Sequence, residues 1–201
     1  MLSREYRCLN IDPAMSICGW SILDFKIDKI KNNTFPKIAI NRFGCIKSAA
    51  EANKVFYNDQ VDIFSKQIIT LSLLRDSIGL LIKEFNPDFI IIEDAFYNPK
   101  CPSAYGSLLQ CICTIAMFCR DKYNKPVYRI PTRSAKQSLF GIGSANKKDI
   151  IGAVLACPNL MFKQKKSAEL MGEHEADSIA IGYHFIMNVL PGLSPTNQLT
   201  T

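Results

Sequence analysis

The chain has 201 residues, 48% of them hydrophobic, with 24 Lys and Arg against 18 Asp and Glu and a formal net charge of +6. That length and apolar content exclude a disordered segment or a fibre and lead to the expectation of one compact domain over 1–190, followed by an uncharged, flexible tail over 191–201. A moderate positive balance favours a polyanionic partner where the cations cluster, and Lys122, Lys125, Arg129, Arg133, Lys136, Lys147, Lys148, Lys163, Lys165 and Lys166 fall within one third of the chain.

In chain order, residues 5–12, 17–25 and 36–46 read as three strands, separated by Asp12-Pro13 and by the polar stretch 29–34. Residues 59–86 carry Val61, Phe64, Ile68, Leu71, Leu74, Ile78, Leu81 and Phe85 at helical spacing and stop before Asn86-Pro87, which predicts the longest helix. A buried strand over 89–93 follows, then a helix over 103–122, a short strand over 126–130, and helices near 132–139, 146–156 and 173–189. A meander followed by alternating helix and strand predicts an α/β fold: a mixed five-stranded sheet, three antiparallel strands plus parallel ones, with helices on both faces.

The eight cysteines lie mostly in apolar stretches, where a free thiol behaves as a small hydrophobe, so they are expected to be reduced. There is no CxxC pair and the only histidines are His174 and His184, which argues against structural zinc. The amino terminus has no signal-peptide core and no uninterrupted apolar run reaches membrane-spanning length. A reducing cytoplasm is the expected compartment, a host's if the gene is viral, with no membrane partner and no nucleotide cofactor.

Three acidic positions far apart in sequence stand at element ends. Asp12 closes Cys8-Leu9-Asn10-Ile11, and Glu93 closes Phe89-Ile90-Ile91-Ile92. His174 and Asp177 sit three apart at the start of the last helix, on one face, with Asp177 at the flank of the apolar stripe Ala176, Ile179, Ala180, Tyr183, Ile186 and Met187. Taken singly, Asp12 also reads as a turn starter, Glu93 as an exposed or Arg-paired strand end, and the helix carboxylates as complements to the helix dipole. Together, carboxylates delivered this way can hold divalent metals over a phosphodiester.

Five motifs in order are similar to the RuvC family of Holliday junction resolvases, of the RNase H-like superfamily, over nearly the whole chain. They are Leu9-Asn10-Ile11-Asp12-Pro13 with Gly19-Trp20, Ile91-Ile92-Glu93-Asp94-Ala95-Phe96, Arg133-Ser134-Ala135-Lys136-Gln137, Gly141-Ile142-Gly143-Ser144-Ala145-Asn146-Lys147-Lys148, and His174-Glu175-Ala176-Asp177-Ser178-Ile179-Ala180. The resemblance implies that Asp12, Glu93, His174 and Asp177 are metal-binding and catalytic, the third being histidine in some members and aspartate in others. It implies two Mg²⁺ or Mn²⁺ ions, ~3.5 to 4 Å apart, one activating water and one stabilising the leaving oxygen. Lys136 and Lys147 match basic positions near the scissile phosphate, with Lys148 and Arg133 beside them as further DNA contacts, and Phe96 matches an aromatic that stacks on bases at the junction centre. The implied activity is an endonuclease that acts as a homodimer, nicks branched DNA in symmetric pairs and leaves 5′ phosphates.

Two features depart from the family: Ala14 stands where bacterial members usually carry a small residue such as Gly, and the loop over 29–36 is longer. Loop changes bear on substrate choice before they bear on chemistry, which keeps a broader branched-DNA or flap endonuclease as the alternative. A non-catalytic junction-binding protein is the second alternative, marked by loss of a metal position, and all four are occupied here. An actin-like ATPase would need a second Gly-rich phosphate loop, which the sequence lacks.

Overall fold

The structure, a computed structural model, describes residues 4–26, 36–55, 65–140, 147–163, 168–169 and 171–193, with 55, 140, 147 and 148 described by backbone alone. The expected loop over 29–36, the start of the long helix and residues 141–146 of the glycine motif fall wholly or almost wholly outside the described residues, as does most of the expected tail.

The chain runs β1 (Glu5–Asp12), β2 (Cys18–Lys26), β3 (Ile38–Ile46), α1 (Ser48–Val55), α2 (Lys66–Phe85), β4 (Phe89–Glu93), α3 (Pro102–Tyr123), β5 (Val127–Ile130), α4 (Thr132–Phe140), α5 (Lys147–Ala156), β6 (Leu160–Phe162) and α6 (Glu173–His184), then a π-helical turn (Phe185–Val189) and a 3₁₀ turn (Leu190–Gly192). The strands form one sheet in the order β5-β4-β1-β2-β3-β6. The meander β1-β2-β3 is antiparallel, and β4 beside β1, β5 beside β4 and β6 beside β3 are parallel. The expected five-stranded sheet is therefore six-stranded. Its sixth strand is three residues long, too short for any two-residue alternation to show in sequence.

Alternation along β1 and β4 divides the interior. Leu9, Ile11, Ile90 and Ile92 point to one face, where α2 and α3 cover them with Leu74, Ile78, Cys111 and Ile115. Cys8, Phe89 and Ile91 point to the other, against Ile150, Val154, Ile179, Tyr183 and Phe185 of α5, α6 and the turn after it. Each such side chain contributes about 1.5–3 kcal/mol by leaving water, so the register is fixed from both sides. Asp12 and Glu93 continue the second alternation, which turns both carboxylates toward α6.

Ser65 caps α2 by accepting the Ile68 N–H at 3.4 Å. Asn86 and Asn124 close α2 and α3 in the left-handed region, at φ 42° and 50°, and account for every positive-φ residue other than glycine among those described. The four cysteines of the interior, Cys8, Cys18, Cys111 and Cys119, are buried and unbonded, whereas Cys113 is exposed.

Helix α3 has 22 residues with mean hydropathy 1.3 over its most apolar window, long and apolar enough to cross a membrane by length and composition, although polar residues interrupt it, and 22% of that window is buried. Its inner residues Cys111, Ile112, Ile115 and Cys119 belong to the core, so one face is packed and the other is left apolar and uncovered.

Candidate active site

The parallel register that pairs Ile11 with Ile92 carries the next residues, Asp12 and Glu93, to adjacent positions at the carboxyl ends of the two central strands. Both are nearly buried, each 8% exposed. Helix α6 lies across this end of β1 and β2 with no spacer: a Cβ on Gly19 would overlap the His174 carbonyl, and a Cβ on Gly182 would overlap the Asn10 amide. Two close approaches thus set the height of the helix, and the first lays its opening turn directly on the strand next to Asp12. As a result the His174 Nδ1–H donates to Asp12 Oδ2 at 2.9 Å, across 162 residues of sequence.

Negative charge at this end is poorly compensated. Burial pushes the Glu93 carboxyl well above the usual range, neighbouring Asp12 and Asp177 push it further, and the Thr132 hydroxyl pulls the other way. Burial and Asp12 raise Asp177 to about 6, with the Lys136 ammonium opposing them. The hydrogen bond to Asp12 raises His174 against its partial burial.

Such a set of hard oxygen donors with one imidazole fits Mg²⁺ or Mn²⁺, which take a few carboxylates and keep several waters. Among the described residues no three His, Cys, Asp or Glu side chains are drawn into a ready-made cage. Here Asp12 is held by His174.

Next to Glu93 opens a recess of about 410 Å³ lined by Asp94, Ala95, Phe96, Pro131, Thr132, Arg133 and Lys136. Phe96 is 55% exposed and Arg133 is exposed, so neither serves the core. Lys147 and Lys148 open α5, and their side chains lie outside what is described.

The structure therefore gathers Asp12, Glu93, His174, Asp177 and Lys136, with Phe96 and Arg133 on the adjoining recess. Sequence reasoning missed three supports. Thr132 follows Pro131 at the end of β5 and lies near Glu93 with a buried hydroxyl that makes no hydrogen bond among the described residues, and Gly19 was noted without the contact that requires it. The third is the second histidine: Ser138 Oγ lies 2.5 Å from His184 Nδ1, and the Asn188 amide donates to the same hydroxyl at 3.1 Å. This neutral cluster ties α4, which carries Lys136, to the end of α6, which carries His174 and Asp177. The rarity of histidine in the chain was its one signal.

A family model described as crossover junction endodeoxyribonuclease RuvC matches residues 8–184. The crossover junction endodeoxyribonuclease RuvC of Finegoldia magna is 27% identical over 72% of this chain and 74% of its own length. That of Clostridioides difficile is 27% identical over 71% of this chain and 70% of its own. Thermus thermophilus RuvC, solved in complex with a Holliday junction substrate, has a TM-score of 0.64 at 13% identity, covering 92% of this chain and 96% of that one. The yeast mitochondrial Holliday junction resolvase gives 0.63 at 14%, covering 90% and 78%; at such identities the likeness is one of fold. With its model matched across most of the sequence, the chain belongs to the crossover junction endodeoxyribonuclease RuvC family.

Proposed function

We propose that this protein is a divalent-metal-dependent endonuclease that resolves four-way DNA junctions in the cytoplasm, nicking two strands symmetrically as a homodimer and leaving 5′-phosphate and 3′-hydroxyl ends. The observation that carries the reading is the cluster of nearly buried carboxylates where α6 crosses the ends of β1 and β4, with Glu93 and Asp177 both held above the ordinary carboxylate range. Buried like charges at one spot are costly unless a cation joins them, and family membership supplies the reaction that such a cation serves.

Asp12, Glu93 and Asp177, together with His174, would hold Mg²⁺ or Mn²⁺, which when bound lowers the pKa of water and neutralises phosphate oxygens. His174 holds Asp12 in place beforehand and yields its carboxylate oxygen when a ligand takes it. Lys136, beside Asp177, presents a fixed cation to charge developing on the phosphate, with Lys147 and Lys148 approaching from the start of α5. Arg133 contacts backbone phosphate, and the exposed ring of Phe96 stacks on a base.

Support for the dimer comes from α3. Leu109, Cys113 and Met117 recur four apart on its outer face, and Met117 is 64% exposed, an apolar stripe that a second copy would cover.

The test is cleavage of a mobile four-way junction, a flap, a duplex and single strands, each with and without Mg²⁺ or Mn²⁺, with cuts mapped on every strand and mass measured by sedimentation. Paired nicks confined to the junction, from a dimer, are the expected result. Cuts spread over flaps and forks would keep the site and shift the substrate to branched DNA in general. Binding without cutting under either metal would overturn the nuclease reading.

A further inference from the structure

The recess beside Glu93 contains a carboxylate that phosphate binding does not call for. Asp94 directly follows Glu93 and lines the recess together with Phe96, Arg133 and Lys136. Its Oδ1 is fully engaged, accepting from Arg129 Nε at 2.9 Å, from the Arg129 Nη2 group, and from the Ala95 N–H at 2.7 Å. Its own N–H donates to the Ile130 carbonyl at 2.8 Å, extending the β4–β5 ladder, so the residue is held at both main chain and side chain. Oδ2 accepts no hydrogen bond from any described residue.

Arg133 and Lys136 are what a phosphate would seek in this recess, and Asp94 is what it would avoid. A free acceptor oxygen takes only a donor. The donors an unpaired DNA base offers are exocyclic amines and ring N–H groups, and a carboxylate accepting from an exocyclic amine is an established mode of base readout. The recess lies within the volume range of small-ligand sites, about 300–1,000 Å³, and admits one base with its sugar.

We infer that Asp94 determines specificity: through Oδ2 it accepts a hydrogen bond from the exocyclic amine of an unpaired base beside the scissile phosphate, the base lying against Phe96 while Arg133 and Lys136 take the flanking phosphates. The inference rests on the nuclease reading and adds to it a preference for adenine or cytosine over bases that present a keto oxygen at the same place.

The substitution Asp94→Asn reverses the chemistry at one atom. Its carbonyl oxygen can keep the Arg129 and Ala95 contacts, which puts an NH₂ donor where Oδ2 was. Junctions are prepared with cytosine changed to uracil, or adenine to hypoxanthine, one at a time at each position flanking the cut, and single-turnover rates are measured for the wild type, Asp94→Asn and Arg129→Gln. At one position the amine-to-keto change should slow the wild type by about ten-fold and speed Asp94→Asn relative to its own amine-bearing substrate. Arg129→Gln, which loosens the loop but keeps the acceptor, should retain the wild-type preference. The inference is overturned if the wild type is indifferent to the amine at every position, or if Asp94→Asn keeps the wild-type preference. It is also overturned if Arg129→Gln loses the preference, since Asp94 then acts only by holding the loop. A wild type that cuts none of these junctions removes the nuclease reading, and this one with it.

Discussion

The hairpin β1-β2 carries two buried aspartates in opposite circumstances. Asp24, 2% exposed, sits at one end of the sheet on the face covered by α2. It accepts from Arg7 Nε at 2.6 Å, Lys163 Nζ at 2.6 Å and Asn41 Nδ2 at 2.8 Å, and Arg7 in turn donates to the Phe85 carbonyl at 3.0 Å. Burial alone would raise its pKa, but these donors pull it below the ordinary value. Asp12, at the other end and on the other face, accepts from His174 and has carboxylates as neighbours. Where the fold supplies its own cations the aspartate stabilises structure, and where it withholds them the charge is left for something that binds.

The contrast is broken most sharply at Asp12. Asp12→Asn or Glu93→Gln should lower junction cleavage by about a thousand-fold or more while leaving junction binding within a few-fold, and full activity in either would remove both from the catalytic set. At the opposite end, Asp24→Asn deprives two partly exposed cations of their buried carboxylate and should cost about 1–3 kcal/mol in urea unfolding, with the metal dependence of cleavage unchanged. The wild type should lose the same stabilisation in acid. The Asp24 carboxyl titrates below 3.8 in the folded protein, so its contribution is whole above that value and disappears as pH falls through the folded value.

Lys136→Met should slow cleavage by about ten- to a hundred-fold and reduce the salt slope of junction binding by about one. The smallest effect runs in the stabilising direction. Asp177 titrates near 6 in the folded protein against an ordinary 3.8, so folding favours its protonated form; that stability is whole below about pH 4 and lost as pH rises through about 6. In metal-free protein, Asp177→Asn should therefore gain on the order of 1–2 kcal/mol at about pH 7.5 and nothing at about pH 4. Magnesium added to the wild type at neutral pH should recover part of that difference, and a variant less stable than the wild type at both pH values would contradict the charge account.

The positions of Asp12 and Glu93 were legible because each ends an apolar run whose strand identity is unambiguous, and a parallel register between central strands leaves neighbouring ends little choice but to meet. His174 and Asp177 were legible as one helical face. The support around them was not. Strand β6 is three residues of Leu-Met-Phe, and α1, Ser48–Val55, has a weak apolar pattern, so neither announces itself. The contact of Lys163 with Asp24 spans 139 residues and only the packed fold reveals it. Helix α6 was read to run on to residue 189, but the backbone widens into a π-helical turn after His184, where the side chain bonds sideways to Ser138.

That Gly19 admits α6 against β2 with no Cβ between them has a consequence for the order in which the protein is made. Asp12 and Glu93 leave the ribosome early, whereas His174 and Asp177 emerge when most of the chain is already outside, and they dock only after the meander has formed a surface to receive them. Two of the four residues of the centre are thus translated well after the other two. A DNA-cutting centre wired in this way stays incomplete in every nascent or truncated chain that lacks α6, so any activity it has begins only once that helix has docked.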